Sequence, residues 1–160
     1  MIDCSRGRPF TNPLKVCKFD LDWLDWSLCI RHTEYGYEDG TPCFVFKLNR
    51  IYGWVPEPTD ENIEAVGNES MAGVELECYG QSEFDKENMG VLEYWPYNYF
   101  PRFFYPYLGQ DGYRDPLVFV RFASPIKNTL LMIECVAKAK NLVYEGPNKM
   151  AVARFEILVD

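Results

Sequence analysis

Six cysteines, Cys4, Cys17, Cys29, Cys43, Cys78 and Cys135, constrain this chain more than any other feature. No two are separated by just two residues, the spacing a zinc site normally shows. The single histidine, His32, follows Cys29 by three positions. Two ligands do not close a tetrahedral site, so His32 reads as a solvated loop residue and no metal site is expected. A catalytic Cys–His pair would use one cysteine and leave five without a role. Disulfides use all six, with 15 connectivities open and spacing unable to choose among them. Three bridges imply an oxidising compartment. The opening residues Met1 to Arg6 nevertheless lack a basic region followed by an apolar one, so they do not read as a signal peptide. No uninterrupted apolar run reaches the roughly 18 residues that a membrane-spanning helix needs.

The length, 160 residues, suits a single domain over 1–160. Such a chain hides roughly 70% of its unfolded surface. Lys and Arg number 16 against 24 Asp and Glu, for a net charge of −8. Nucleic acids and anionic membrane surfaces attract clustered positive charge, so neither is an expected partner. At 48% hydrophobic and 16% aromatic, the chain is too apolar for disorder.

Residues 1–43 are rich in cysteine and turn-formers. Ser5–Pro9 and Thr11–Pro13 read as irregular structure. Lys15 to Trp26 suits a short strand or a helical turn. Asp20, Asp22 and Asp25 resemble part of a calcium loop, but the required glycine and the later bidentate glutamate are missing, and a solvated polar face explains them better. Phe44 to Tyr52 reads as a strand ended by Pro56-Glu57-Pro58. Residues 57–72 are acidic and carry the sequon Asn68-Glu69-Ser70, which suits an exposed loop and makes Asn68 the candidate glycosylation site. Gly73 to Tyr79, Gly90 to Trp95 and Leu117 to Phe122 read as further short strands.

The alternation is clearest near the end. Leu131, Ile133, Cys135, Ala137 and Ala139 interleave with more polar neighbours, as do Ala151, Ala153, Phe155, Ile157 and Val159. Period two buries one face of each strand, and Cys135 on that face suits a bridge between sheets. Gly146-Pro147-Asn148 is a plausible hairpin connection between them. Several short strands with turn signals between them point to an antiparallel β-sandwich with 44–160 as its body.

Residues 94–107 hold nine of the chain's 26 aromatic residues. Pro96, Pro101 and Pro106 argue against a regular strand or helix there. Three readings stand: a loop folded onto one end of the sandwich, a protein-binding face, and a sugar-stacking site. Tyrosine suits surfaces that lose water on contact, because it is large yet polar at its tip. No nucleophile elbow or phosphate-cradling loop is present, and no carboxylate pair is singled out by spacing. The residues alone support an extracellular, disulfide-bonded β-domain that binds another protein.

The run Tyr35-Gly36-Tyr37-Glu38-Asp39-Gly40-Thr41-Pro42-Cys43, continuing through Lys47-Leu48-Asn49-Arg50 to Gly53-Trp54, resembles the signature of the beta subunits of the sodium/potassium and proton/potassium pumps. Phe104-Tyr105-Pro106-Tyr107-Leu108-Gly109 is similar to that family's aromatic segment. Asp115 to Phe122, Ile133-Glu134-Cys135 and Arg154 to Ile157 resemble its C-terminal strands. The resemblance implies an immunoglobulin-like sandwich with long irregular loops. It implies the pairs Cys4–Cys17, Cys29–Cys43 and Cys78–Cys135, the first two bracing the membrane-proximal residues 1–43. It implies no catalytic residue and no cofactor. The partner would be the pump's catalytic alpha subunit, which the beta subunit helps to fold, assemble and reach the plasma membrane, while modulating cation transport. Phe104, Tyr105, Pro106, Tyr107, Leu108 and Gly109 would form that interface. The family is single-pass, with its amino end in the cytoplasm. The chain is then expected to be the extracellular part, with Met1 added and the membrane helix and cytoplasmic tail lacking. Cell adhesion through homotypic ectodomain contact is the alternative function. Phe104 and Leu108 stand where the family often has tyrosine, and Phe122-Ala123-Ser124-Pro125 where many vertebrate members carry a sequon.

Overall fold

The computed structural model describes residues 16–24, 27–142 and 151–160. Cys4, the irregular stretches expected at 5–13, Asp25, Trp26 and the connection expected at 146–148 lie outside the described residues. Among the described residues seven strands form two antiparallel sheets: β1 (Cys43–Phe46), β2 (Gly73–Gly80), β3 (Leu92–Trp95), β4 (Tyr99–Pro101), β5 (Val118–Phe122), β6 (Leu131–Lys138) and β7 (Val152–Ile157). One sheet has the order β1-β5-β3 and the other β4-β2-β6-β7. The expected sandwich is therefore present.

Alternation explains the core. Val74, Leu76 and Cys78 on β2, Val118, Val120 and Phe122 on β5, and Leu131, Ile133, Cys135 and Ala137 on β6 are all buried in one cluster. Phe44 of β1 and Phe155 of β7 close one side of it, their ring centroids 4.9 Å apart, and the Phe122 ring meets both. Ala153, expected on the buried face of β7, is exposed, because β7 is an outer strand with, among the described residues, β6 alone beside it.

Cys78 and Cys135 form a disulfide, but within one sheet and not between sheets. They are register partners in the β2–β6 pair, with Cα atoms 4.0 Å apart. Side chains at a non-hydrogen-bonded antiparallel position approach closely enough to bond directly. The Cys78 N–H is turned away from β6 and donates to the Tyr94 hydroxyl at 3.0 Å. Burial raises the Tyr94 pKa, the Glu77 and Glu75 carboxylates add to this, and the bond from the Cys78 N–H works against it. Cys29–Cys43 is the second described disulfide; with Leu24 and Phe119 it packs the 29–36 segment onto the outer face of the three-stranded sheet. Gly36 within that segment has φ +77°, and a Cβ there would lie 2.1 Å from the Thr41 carbonyl oxygen, so this position requires glycine.

Other expectations are corrected. The strand expected over 44–52 ends at Phe46, because the chain then turns away to meet the 105–115 segment. The loop expected over 57–72 contains helix α1 (Asp60–Val66), which Thr59 caps by accepting from the Asn62 N–H and Gly67 ends in the left-handed conformation. Asn62 is buried and its side-chain oxygen accepts from the Gly73 N–H at 2.9 Å, fastening α1 to β2. Helix α2 (Glu83–Asn88) opens with a capping box between Ser82 and Asp85. Asp85 also accepts from the Met132 N–H on β6. The proline-rich segment is not wholly irregular: Tyr99–Pro101 forms β4, and Arg102–Phe104 one turn of 3-10 helix. Pro101 is tolerated because β4 is an outer strand.

Candidate partner-binding surface

Beyond β1, Lys47 to Arg50 crosses toward the aromatic segment. The Arg50 guanidinium forks onto Asp115, with Nε donating to Oδ1 at 2.8 Å and Nη2 to Oδ2 at 2.8 Å. Lys47 stands 3.6 Å from the same carboxylate. The hydrogen bond from Arg50 holds the Asp115 carboxyl below the usual carboxylate range, and the Lys47 charge adds to this. The bond to Asp115 likewise raises the Arg50 pKa. The guanidinium also lies over two rings, 4.9 Å from the centroid of Tyr107 and 5.4 Å from that of Tyr113.

Around this clamp the aromatic segment is locked to its surroundings. The Tyr113 hydroxyl donates to the Phe104 carbonyl at 3.0 Å. Burial pushes the Tyr113 hydroxyl pKa up to about 12. The Gly53 N–H donates to the Tyr107 carbonyl at 2.9 Å, and Tyr52 and Tyr107 run parallel. Gln110 braces the turn, accepting from the Leu108 N–H and donating to the Pro106 carbonyl. Trp54 meets Tyr105 edge to face at 5.5 Å.

These contacts sort the six residues expected at the interface. Phe104 is fully buried, edge-on to Phe19 at 5.7 Å. Tyr105 lies mostly inside, joining two core clusters, and burial raises its hydroxyl pKa well above the ordinary value. Pro106 and Tyr107 are half-buried, whereas Leu108 and Gly109 are exposed. Gly109 has φ +76° with open space where a Cβ would stand. Ile51 and Tyr52 extend the exposed strip; Tyr52 is 74% exposed. The joining of Arg50 to Asp115 was not legible in the sequence, although both residues stood in recognised motifs 65 positions apart. Tyr52 and Tyr113 carried no signal beyond being aromatic.

The other expected sites are dispersed. Asn68 is exposed just after α1, and its Oδ1 accepts from both the Ser70 N–H and the Ser70 hydroxyl. Cys17 is disulfide-bonded, and its expected partner Cys4 lies outside the described residues. His32 is exposed and lines an apolar cleft of about 680 Å³ beside Cys29, Cys43 and Val45. Among the described residues no three His, Cys, Asp or Glu side chains gather as metal ligands would. No helix among them is long and apolar enough to cross a membrane.

The chain is similar to known proteins along nearly its whole length. The family model described as the sodium/potassium ATPase beta chain matches residues 4–157. Sodium/potassium-transporting ATPase subunit beta-1 of Drosophila melanogaster is 37% identical over 173 residues, covering 100% of this chain and 55% of the relative. Subunit beta-2 of the same organism is 32% identical over 175 residues, covering 99% and 53%. Subunit beta-1 of Tetronarce californica is 33% identical over 156 residues, covering 91% and 51%. The chain thus spans about half the length of the curated relatives it matches. With the match running from Cys4 through β7, this chain belongs to the sodium/potassium ATPase beta chain family.

Proposed function

We propose that this chain is the extracellular part of a non-catalytic beta subunit of a potassium-exchanging cation pump. It assists folding, assembly and plasma-membrane delivery of the catalytic alpha subunit and modulates cation transport. In this reading the membrane is crossed once, by a helix outside this sequence. Cys4 bonds to Cys17, and Asn68 carries a glycan. Family membership supports the reading.

The observation that carries the contact is the Arg50–Asp115 clamp, which holds an exposed strip of Ile51, Tyr52, Leu108 and Gly109 over a rigid base. Phe104, Tyr105 and Pro106 support this strip from beneath, and Tyr107 joins base to surface. Rigid aromatic side chains lose little conformational freedom on docking, which suits them as anchors. The test is co-precipitation of the alpha subunit with the full-length protein carrying Tyr52→Ala, Tyr107→Ala and Leu108→Ala. Recovery of alpha and surface delivery should fall at least several-fold. Unchanged recovery with a normally folded variant overturns the assignment of this face.

A further inference from the structure

Strand β7 is the outer strand of its sheet: it pairs with β6, and no other strand lies beside it among the described residues. The register decides which of its backbone groups are left over. The Cys78 N–H points away from β6, so Cys78 and Cys135 form a non-hydrogen-bonded pair. Cys135 therefore turns its own N–H and C=O toward β7, where it faces Ala153. Consistent with this, the Ala151 carbonyl accepts from the Ala137 N–H at 2.8 Å. Alternation along the strand turns the N–H and C=O groups of Val152, Arg154 and Glu156 outward. The Arg154 and Glu156 side chains are exposed, while Phe155 and Ile157 pack inward.

We propose that β7 pairs antiparallel with β7 of a second copy of this chain, about a two-fold axis at Phe155. In that register Arg154 faces Glu156 of the second copy, and Glu156 faces its Arg154. Both pairs exchange the outward backbone hydrogen bonds, and both set opposite charges directly across from each other. Moving the axis to residue 154 opposes two arginines, and moving it to residue 156 opposes two glutamates. A slip of one residue matches outward backbone groups with inward ones. Charges on an outer strand ordinarily discourage pairing, but one of each sign at this spacing is self-complementary. Arg154 binds Glu134 of its own chain through Nε, which holds the half-exposed guanidinium on the outer face, where its Nη1 and Nη2 groups can reach across. A two-fold contact of this kind is closed, so it produces a dimer rather than a fibre. The inference does not depend on the pump-subunit reading.

The test is sedimentation equilibrium of the 160-residue chain up to roughly millimolar concentration, where even weak contacts register. Glu156→Arg leaves the Arg154–Glu134 pair in place and should weaken the dimer at least about tenfold, since it opposes like charges twice. The double variant R154E/E156R should restore dimerisation, as should mixing Glu156→Arg with Arg154→Glu. Amide exchange at Arg154 and Glu156 should slow as concentration rises, while exchange at Ala153 should not respond. A wild-type chain that stays monomeric throughout overturns the proposal. So does a dimer unaffected by Glu156→Arg, or a folded double variant that does not dimerise.

Discussion

The Arg50 guanidinium binds the Asp115 carboxylate through two parallel hydrogen bonds of 2.8 Å, joining the segment after β1 to the segment before β5. The fork geometry of arginine matches a carboxylate in a way lysine cannot. Replacing Arg50 with lysine keeps the charge and loses both the fork and the stacking over Tyr107 and Tyr113. Arg50→Lys should therefore lower the melting temperature and speed proteolysis within 104–115, with Arg50→Ala doing more of both.

The same pair sets an acid limit. The Asp115 pKa is lower in the folded chain than in the unfolded one, where it is near 3.9. Its contribution is thus complete above the unfolded value and disappears as pH falls through the folded value. The stability difference between wild type and Asp115→Asn should be constant above about pH 5 and shrink below about pH 4. Chemical denaturation across that range measures it, and a difference that grew on acidification would contradict the sign.

Phe104 and Leu108 lie four positions apart and should behave oppositely. Phe104 is fully buried, so Phe104→Ala should cost about 3–5 kcal/mol in urea unfolding. Leu108 is 37% exposed, so Leu108→Ala should change stability by no more than about 0.5 kcal/mol. A loss of alpha recovery in the second variant is then a loss of contact and not of fold.

The two described disulfides should differ in worth. Cys78–Cys135 joins residues 57 apart and Cys29–Cys43 residues 14 apart. In the chain-entropy account these loops correspond to about 4 and about 3 kcal/mol. Replacing Cys78 and Cys135 together should therefore lower stability more than replacing Cys29 and Cys43. Thermal unfolding of the two double variants decides the order.

Tyrosine ionisation sets an alkaline limit. Tyr113 is pushed up to about 12 and Tyr105 is raised by burial, against an unfolded value of 10. A raised folded pKa stabilises fully below the unfolded value and loses its effect as pH rises through the folded one. Stability should therefore decline from about pH 10 upward. Spectrophotometric titration should find these two hydroxyls ionising late, together with the onset of unfolding; free titration near the unfolded value would contradict their burial.

Legibility followed how local the determining interaction was. Gly73 to Tyr79, Leu117 to Phe122 and Leu131 to Ala139 read as strands from composition and turn signals, alternation shows the buried face of the last, and strands lie on all three. Helix α2 was missed although Ser82 and Asp85 stand at capping-box spacing, because six residues show too little apolar periodicity. Helix α1 was hidden by its acidic composition and secured by the contact from Asn62 to Gly73, which lies eleven residues away. The end of β1 at Phe46 could not be read from residues 44–52, whose apolar content continues past it; the contacts that bend the chain belong to Asp115 and Tyr107.

Residue order alone carries the β class, the buried face of β6 and the family, because alternation and motif order are properties of neighbouring residues. Only the tertiary structure decided that Cys78 and Cys135 bridge adjacent strands of one sheet, that Phe104 and Tyr105 turn inward, and that Arg50 closes on Asp115. Each of these depends on which distant segments pack side by side. Burial then separates a ring that supports the core from one exposed at the surface, even where the two are close in the chain.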